Sequence, residues 1–161
     1  MILLLLFMSV AEAPGLPTPA PCPITVELND QLHPTLNNAR VACDVERQLK
    51  AAGWSDELVT GALANAWHES HWNPSAVGDS GRAVGFWQLH ESGLGHGMGA
   101  KRLSPMRSTV KIIHSADRQK LTSRDFRTPG QAADIFCRKV MRPKQSAKAG
   151  RKRARTADLV D

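Results

Sequence analysis

Ala64-Asn65-Ala66-Trp67-His68-Glu69-Ser70-His71-Trp72-Asn73-Pro74 is followed closely by Ala76-Val77-Gly78-Asp79-Ser80-Gly81, and then by Ala83-Val84-Gly85-Phe86-Trp87-Gln88-Leu89. The first block ends a helix. Ser55 is its cap, Asp56 and Glu57 place negative charge in its first turn, and Leu58, Val59, Ala62, Leu63 and Ala66 form an apolar stripe that runs out at Asn73-Pro74. The chain then changes character: seven of its twelve glycines fall in residues 75–100, Gly78-Asp79-Ser80-Gly81 is a turn, and Ala83 to Leu89 suits a short strand. On either side the pattern is helical. Val41, Val45, Leu49 and Ala52 mark a helix over 38–52, while Ser104-Pro105 and Thr128-Pro129 open helices over about 105–118 and 129–141. The reading is α+β, mainly α: one domain of helices around a small glycine-rich β segment.

The same window holds the chemistry. Glu69 follows an apolar helix face, with Trp67 and Trp72 close by in sequence. A carboxyl against apolar surface is poorly hydrated, so its pKa rises. A general acid needs that property to stay protonated near neutral pH. Position alone leaves a second reading open, a carboxylate closing a salt bridge at a helix end. All four tryptophans lie within 34 residues; Trp54 and Trp67 read as core, while Trp72 and Trp87 have flat faces suited to saccharide rings. His68 and His71 share a helix face, but a zincin needs its second His where Trp72 stands, so no metal site is expected.

These three ordered blocks resemble the lysozyme-like superfamily, in its soluble lytic transglycosylase and goose-type lysozyme branch, which includes phage and bacterial muralytic enzymes. Glu69 to Ala76 matches E-S-x-x-N-P-x-A and Gly85 to Leu89 matches G-[LF]-x-Q-[LIV]. The resemblance covers about 37–160 and implies a lysozyme-like fold. It implies cleavage of the β-1,4 bond between N-acetylmuramic acid and N-acetylglucosamine, with Glu69 as general acid. Gln88 would position substrate, and Ser70 would hydrogen-bond near the acid or the glycan. Asp79 sits where goose-type lysozymes carry an Asp, which could activate water for an inverting hydrolysis; without such a base the substrate's acetamido group and 6-hydroxyl complete a lytic transglycosylase reaction, and the plain reading of Asp79 is turn chemistry. No cofactor is implied. The late element departs from the branch pattern: Met141 stands before Arg142-Pro143 in place of Glu, which puts in doubt a buried ion pair there.

Outside the domain, the near-continuous apolar run Ile2 to Val10 with Ala11-Glu12-Ala13 makes residues 1–13 a candidate signal peptide, although no Lys or Arg precedes the run. Residues 14–36 read as a proline-rich linker, since five of the ten residues from Pro14 to Pro23 are proline. Three cysteines are an odd count; Cys43 and Cys137 read as small buried hydrophobes, and a Cys22–Cys43 bridge is left open.

The net charge of +6 is unevenly spread, because residues 138–155 carry nine Lys or Arg and no acid, leaving twelve basic and fifteen acidic groups elsewhere. A basic last helix or tail on a body of −3 is no whole-surface nucleic-acid footprint, and no aromatic interleaves with the charges to stack on bases. The tail reads first as a solvated face, and second as a contact for anionic envelope polymers. The expected protein is a monomer acting on peptidoglycan glycan strands, exported or phage-associated. The competing function class is a non-catalytic peptidoglycan- or nucleic-acid-binding protein on the same scaffold.

Overall fold

A computed structural model describes residues 21–143 and 146–159. The candidate signal peptide lies outside the described residues. Among the described residues, six α-helices surround one small sheet: α1 (Pro23–Leu32), α2 (Leu36–Ala51), α3 (Asp56–Ser70), α4 (Pro105–Arg118), α5 (Pro129–Phe136) and α6 (Ser146–Ala157). Their starts follow local chemistry. Thr35, Ser55, Ser104 and Thr128 each accept a backbone N–H three residues on, and Pro105 and Pro129 occupy the first turn, where no N–H is needed.

The β segment is a three-stranded antiparallel meander, not the single strand expected over 83–89. β1 (Val77–Gly78) pairs with β2 (Ala83–Val84), which pairs with β3 (Leu89–His90). Two left-handed residues break the run, Gly85 at φ 82° and Gln88 at φ 48°. Gly85 is also sterically required there, because a Cβ would lie 2.3 Å from the Arg102 carbonyl oxygen.

The core is continuous from α1 to the end of α5. Leu28, Val45, Leu49, Leu58, Leu63, Phe86, Ile112 and Phe136 are buried in it. Trp54 meets Phe136 edge-on at 6.1 Å, and Phe136 in turn leans on Trp87 at 6.2 Å. After α5 the chain widens into a π-helical turn over Cys137–Met141, which ends at Arg142 in the left-handed region.

One expectation about the ends is corrected and the other narrowed. The second half of the 14–36 linker is not a linker, because α1 buries Ile24, Thr25 and Leu28. Pro23 sits in its first turn, and its N-terminal end is pinned to α2 by a Cys22–Cys43 disulfide and by the buried Glu46 carboxylate. Glu46 Oε2 accepts from the Thr25 N–H at 2.8 Å and the Thr25 hydroxyl at 2.6 Å. At the other end the basic stretch forms a last helix, α6, that is solvated on one face only. It packs on α3 and α5 through Gly150, Arg153 and Ala157, and only its other face carries exposed cations.

Candidate active site

α3 delivers Glu69 in its last turn, beside the chain reversal that leads into the meander. His71 (φ 53°) and Trp72 (φ 59°) are both left-handed and end the helix abruptly. The Glu69 side chain is 21% exposed, enough to meet solvent while most of it is enclosed. Its Oε1 accepts from Arg153 Nη2 at 2.5 Å, and Oε2 has no partner among the described residues. Burial pushes the Glu69 pKa above the ordinary carboxylate value, and the Arg153 charge and hydrogen bond oppose that rise without cancelling it.

Arg153 is itself buried, and both of its terminal nitrogens are engaged. Its Nη1 donates to Asn65 Oδ1 at 2.9 Å and reaches Cys137 Sγ at 3.0 Å. Asn65 is buried one turn above Glu69 and uses its own amide to donate to the Gly61 and Ala133 carbonyls, at 2.7 and 3.0 Å. One connected network therefore joins α3, α5, the π-helical turn and α6 at Glu69. The charged pair that anchors the late helices is Glu69 with Arg153; Arg142 is exposed and donates to the Lys139 carbonyl instead.

The other expected site residues are distributed differently. Trp72 and Trp87 are completely enclosed. The Trp72 N–H donates to the Leu63 carbonyl and the Trp87 N–H to the Thr109 hydroxyl, each at 2.9 Å. They are core, and neither offers a face to a sugar. Ser70 is buried, with its hydroxyl on the Phe86 carbonyl at 2.7 Å and the Ala66 carbonyl at 3.2 Å. It clips the end of α3 to the loop between β2 and β3. Gln88 donates from Nε2 to the Ala76 and Gly85 carbonyls, both at 3.0 Å, so its amide braces the meander from within. The polar groups of all four are spent on partners inside the protein.

Asp79 lies on the exposed turn between β1 and β2, left-handed at φ 49°. Its carboxylate accepts from His90 Nε2 at 2.9 Å and meets Arg82 at 3.5 Å. His90 Nδ1 accepts from the Ser92 N–H at 3.2 Å, so Nε2 is the nitrogen that carries the proton toward Asp79. His68 and His71 diverge: His68 Nε2 shares a hydrogen bond with Thr156 Oγ1 at 2.7 Å, while the His71 ring meets Trp67 edge-on at 4.7 Å. Burial, then the charges of Lys152, Arg153 and His71, bring the His68 pKa down to about 4. The residues that sequence reasoning missed are Arg153, Asn65 and His90.

The sequence profile described as phage tail lysozyme matches residues 40–160, which takes in α3, the meander and α6 together. No curated protein and no solved structure matches the chain significantly. Three-quarters of the sequence thus fits one profile, and the chain belongs to the phage tail lysozyme family, lysozyme-like enzymes that degrade peptidoglycan.

Proposed function

We propose that the protein cleaves the β-1,4 bond between N-acetylmuramic acid and N-acetylglucosamine of peptidoglycan, with Glu69 as the general acid. The observation that carries the assignment is the state of that carboxyl: mostly enclosed, raised in pKa, and with one oxygen unpartnered among the described residues. A raised pKa keeps the acid protonated at the pH where the leaving oxygen must receive a proton as oxocarbenium character develops. Asp79 is the second carboxylate of the reading. His90 and Arg82 hold it on an exposed turn, from which it activates water for a hydrolysis with inversion. Without such a base, the substrate's acetamido group and 6-hydroxyl complete the reaction and leave a 1,6-anhydro end.

The setting is the bacterial envelope, reached as part of a phage or by export; no helix among the described residues is long and apolar enough to cross a membrane. The exposed cations Lys148, Arg151, Lys152 and Arg155 recur along one face of α6 and favour contact with anionic envelope polymers.

The test is Glu69→Gln assayed on purified peptidoglycan, with mass spectrometry of the released muropeptides. Loss of turnover with retained sedimentation on sacculi supports the assignment. Turnover at the wild-type rate sinks it, because another group must then supply the proton. In the wild-type products, reducing ends would identify a hydrolase, as the Asp79 reading requires, and 1,6-anhydro ends a transglycosylase.

A further inference from the structure

Nothing in the reaction just described uses Arg153. It lies 84 residues from Glu69 in the most basic stretch of the chain, yet it is 7% exposed and spends its guanidinium wholly inside the protein. An arginine in a solvated basic face has no need of such a place. Removing a charge of this size from water is costly unless each donor finds an acceptor. Here Nη2 has Glu69 Oε1, and Nη1 has Asn65 Oδ1 and Cys137 Sγ. Asn65 is fixed by two carbonyls from different helices, so the guanidinium plane is held independently of Glu69. The hold also has a direction. It engages Oε1 only, and an oxygen facing an arginine N–H offers it a lone pair, not a proton.

We propose that Arg153 is a positioning residue for the acid: by holding Oε1 from α6 it fixes the rotamer of Glu69 and leaves Oε2 as the oxygen that carries the proton to the glycosidic leaving group. The inference rests on Glu69 being the acid. The protonated carboxyl donates its proton from Oε2 to the leaving oxygen as the bond to the anomeric carbon breaks. The resulting carboxylate is then met at Oε1 by a charge already in place. Preorganised charge of this kind costs no reorganisation during the reaction. The same contact sets how far pH can rise before the acid is lost, because Arg153 favours the charged form that burial disfavours. Besides Arg153 of α6, the groups that bear on this centre are Cys137 of the π-helical turn, whose thiol burial pushes up, and His68 of α3 itself, with Lys152 of α6 behind it.

The experiment compares Arg153→Met and Arg153→Lys with the full-length wild type in two readouts. One is the pH profile of kcat and KM on purified peptidoglycan. The other is a 13C carboxyl titration of Glu69, its resonance assigned by its absence in Glu69→Gln. For Arg153→Met the expected result is a fall in kcat of about tenfold or more at little change in KM, with the alkaline limb and the Glu69 titration both moved to higher pH. Arg153→Lys keeps the charge and loses the fork, so kcat falls while the limb stays nearer the wild-type position. If Arg153→Met does not fold, the lysine variant carries the test, since a lost fork must still lower kcat. Folded variants with kcat within about twofold of wild type and an unmoved Glu69 titration overturn the proposal. A wild type that leaves peptidoglycan intact removes the glycosidase reading instead, and the carboxyl titration still reports whether Arg153 governs Glu69.

Discussion

Arg153 Nη2 and Glu69 Oε1 meet at 2.5 Å across 84 residues of sequence, and that contact joins the basic end of the chain to its chemistry. Read as charge alone, residues 138–155 are an appendage. Read as a helix, α6 divides its residues by face: Gly150, Arg153 and Ala157 are buried, while Lys148, Arg151, Lys152 and Arg155 are exposed. Gly150 brings the helix against the Asp134 carboxylate of α5, a side-chain tip that a Cβ there would have to displace. The inner face builds the site and the outer face is left for a partner.

Gly61 is the tightest point beneath this network. A Cβ at that position would sit 2.6 Å from the backbone nitrogen of Ala133, and a helix backbone cannot step aside as a side-chain tip can. Overpacking of this kind costs about 1–3 kcal/mol. The gain in helix propensity from glycine to alanine is at most about 1 kcal/mol. Gly61→Ala is therefore expected to lower the melting temperature by several degrees. Because Asn65 bonds the Gly61 and Ala133 carbonyls, it should also lower kcat. A variant that melts at or above the wild-type temperature would contradict the close packing of α3 on α5.

His68 gives the fold an acid limit. Its pKa is brought from 6.5 to about 4 in the folded protein, so the unfolded chain takes up the proton first as pH falls. Stability from this group is thus complete above pH about 6.5 and is lost progressively between there and about 4. Replacing His68 with Gln removes the titration while keeping a group able to bond Thr156. The difference in unfolding free energy between variant and wild type should drift in the variant's favour across that window, and stay constant above pH about 7. Denaturant titrations at three or four pH values measure it.

Much of this was legible because it is local. Ser55, Ser104 and Thr128 announce their helices through neighbours three residues away, and the glycine cluster announces turns whatever the rest of the chain does. Burial of large side chains is not local. Trp72 and Trp87 looked like groove residues because an indole is equally suited to a sugar and to a core, and only the positions of Leu63 and Thr109 decide between them. The five prolines from Pro14 to Pro23 masked α1, whose Ile24 and Leu28 stand at the i, i+4 spacing of a buried face. Arg153 did leave a trace: it falls in step with Gly150 and Ala157, the small residues of the same turn pattern. The basic composition around it concealed that period.

The disulfide ties α1 to α2 over a separation of 21 residues. A loop of this length is worth about 3 kcal/mol in the unfolded-chain account. Cys22→Ser with Cys43→Ser should lower the unfolding free energy by roughly that amount. The site lies on α3, the meander and α6, so kcat at temperatures well below the melt should be unchanged. A loss of kcat in the folded double variant would show that α1 bears on the site directly.

The outer face of α6 makes the last prediction. Lys148, Arg151 and Arg155 are exposed, and Lys152 is best left in place because its charge acts on His68. Replacing the three with Gln removes charge without touching the buried pair, so turnover of short, soluble glycan fragments should match wild type. Binding to intact sacculi that retain their anionic polymers should weaken, and its fall with added salt should become shallower, because fewer counterions are exchanged. Sedimentation at a series of salt concentrations separates this from a loss of fold. If affinity and salt slope both survive the triple replacement, the enzyme meets its substrate through other surfaces, and these cations of α6 serve only to keep that helix solvated on its outer side.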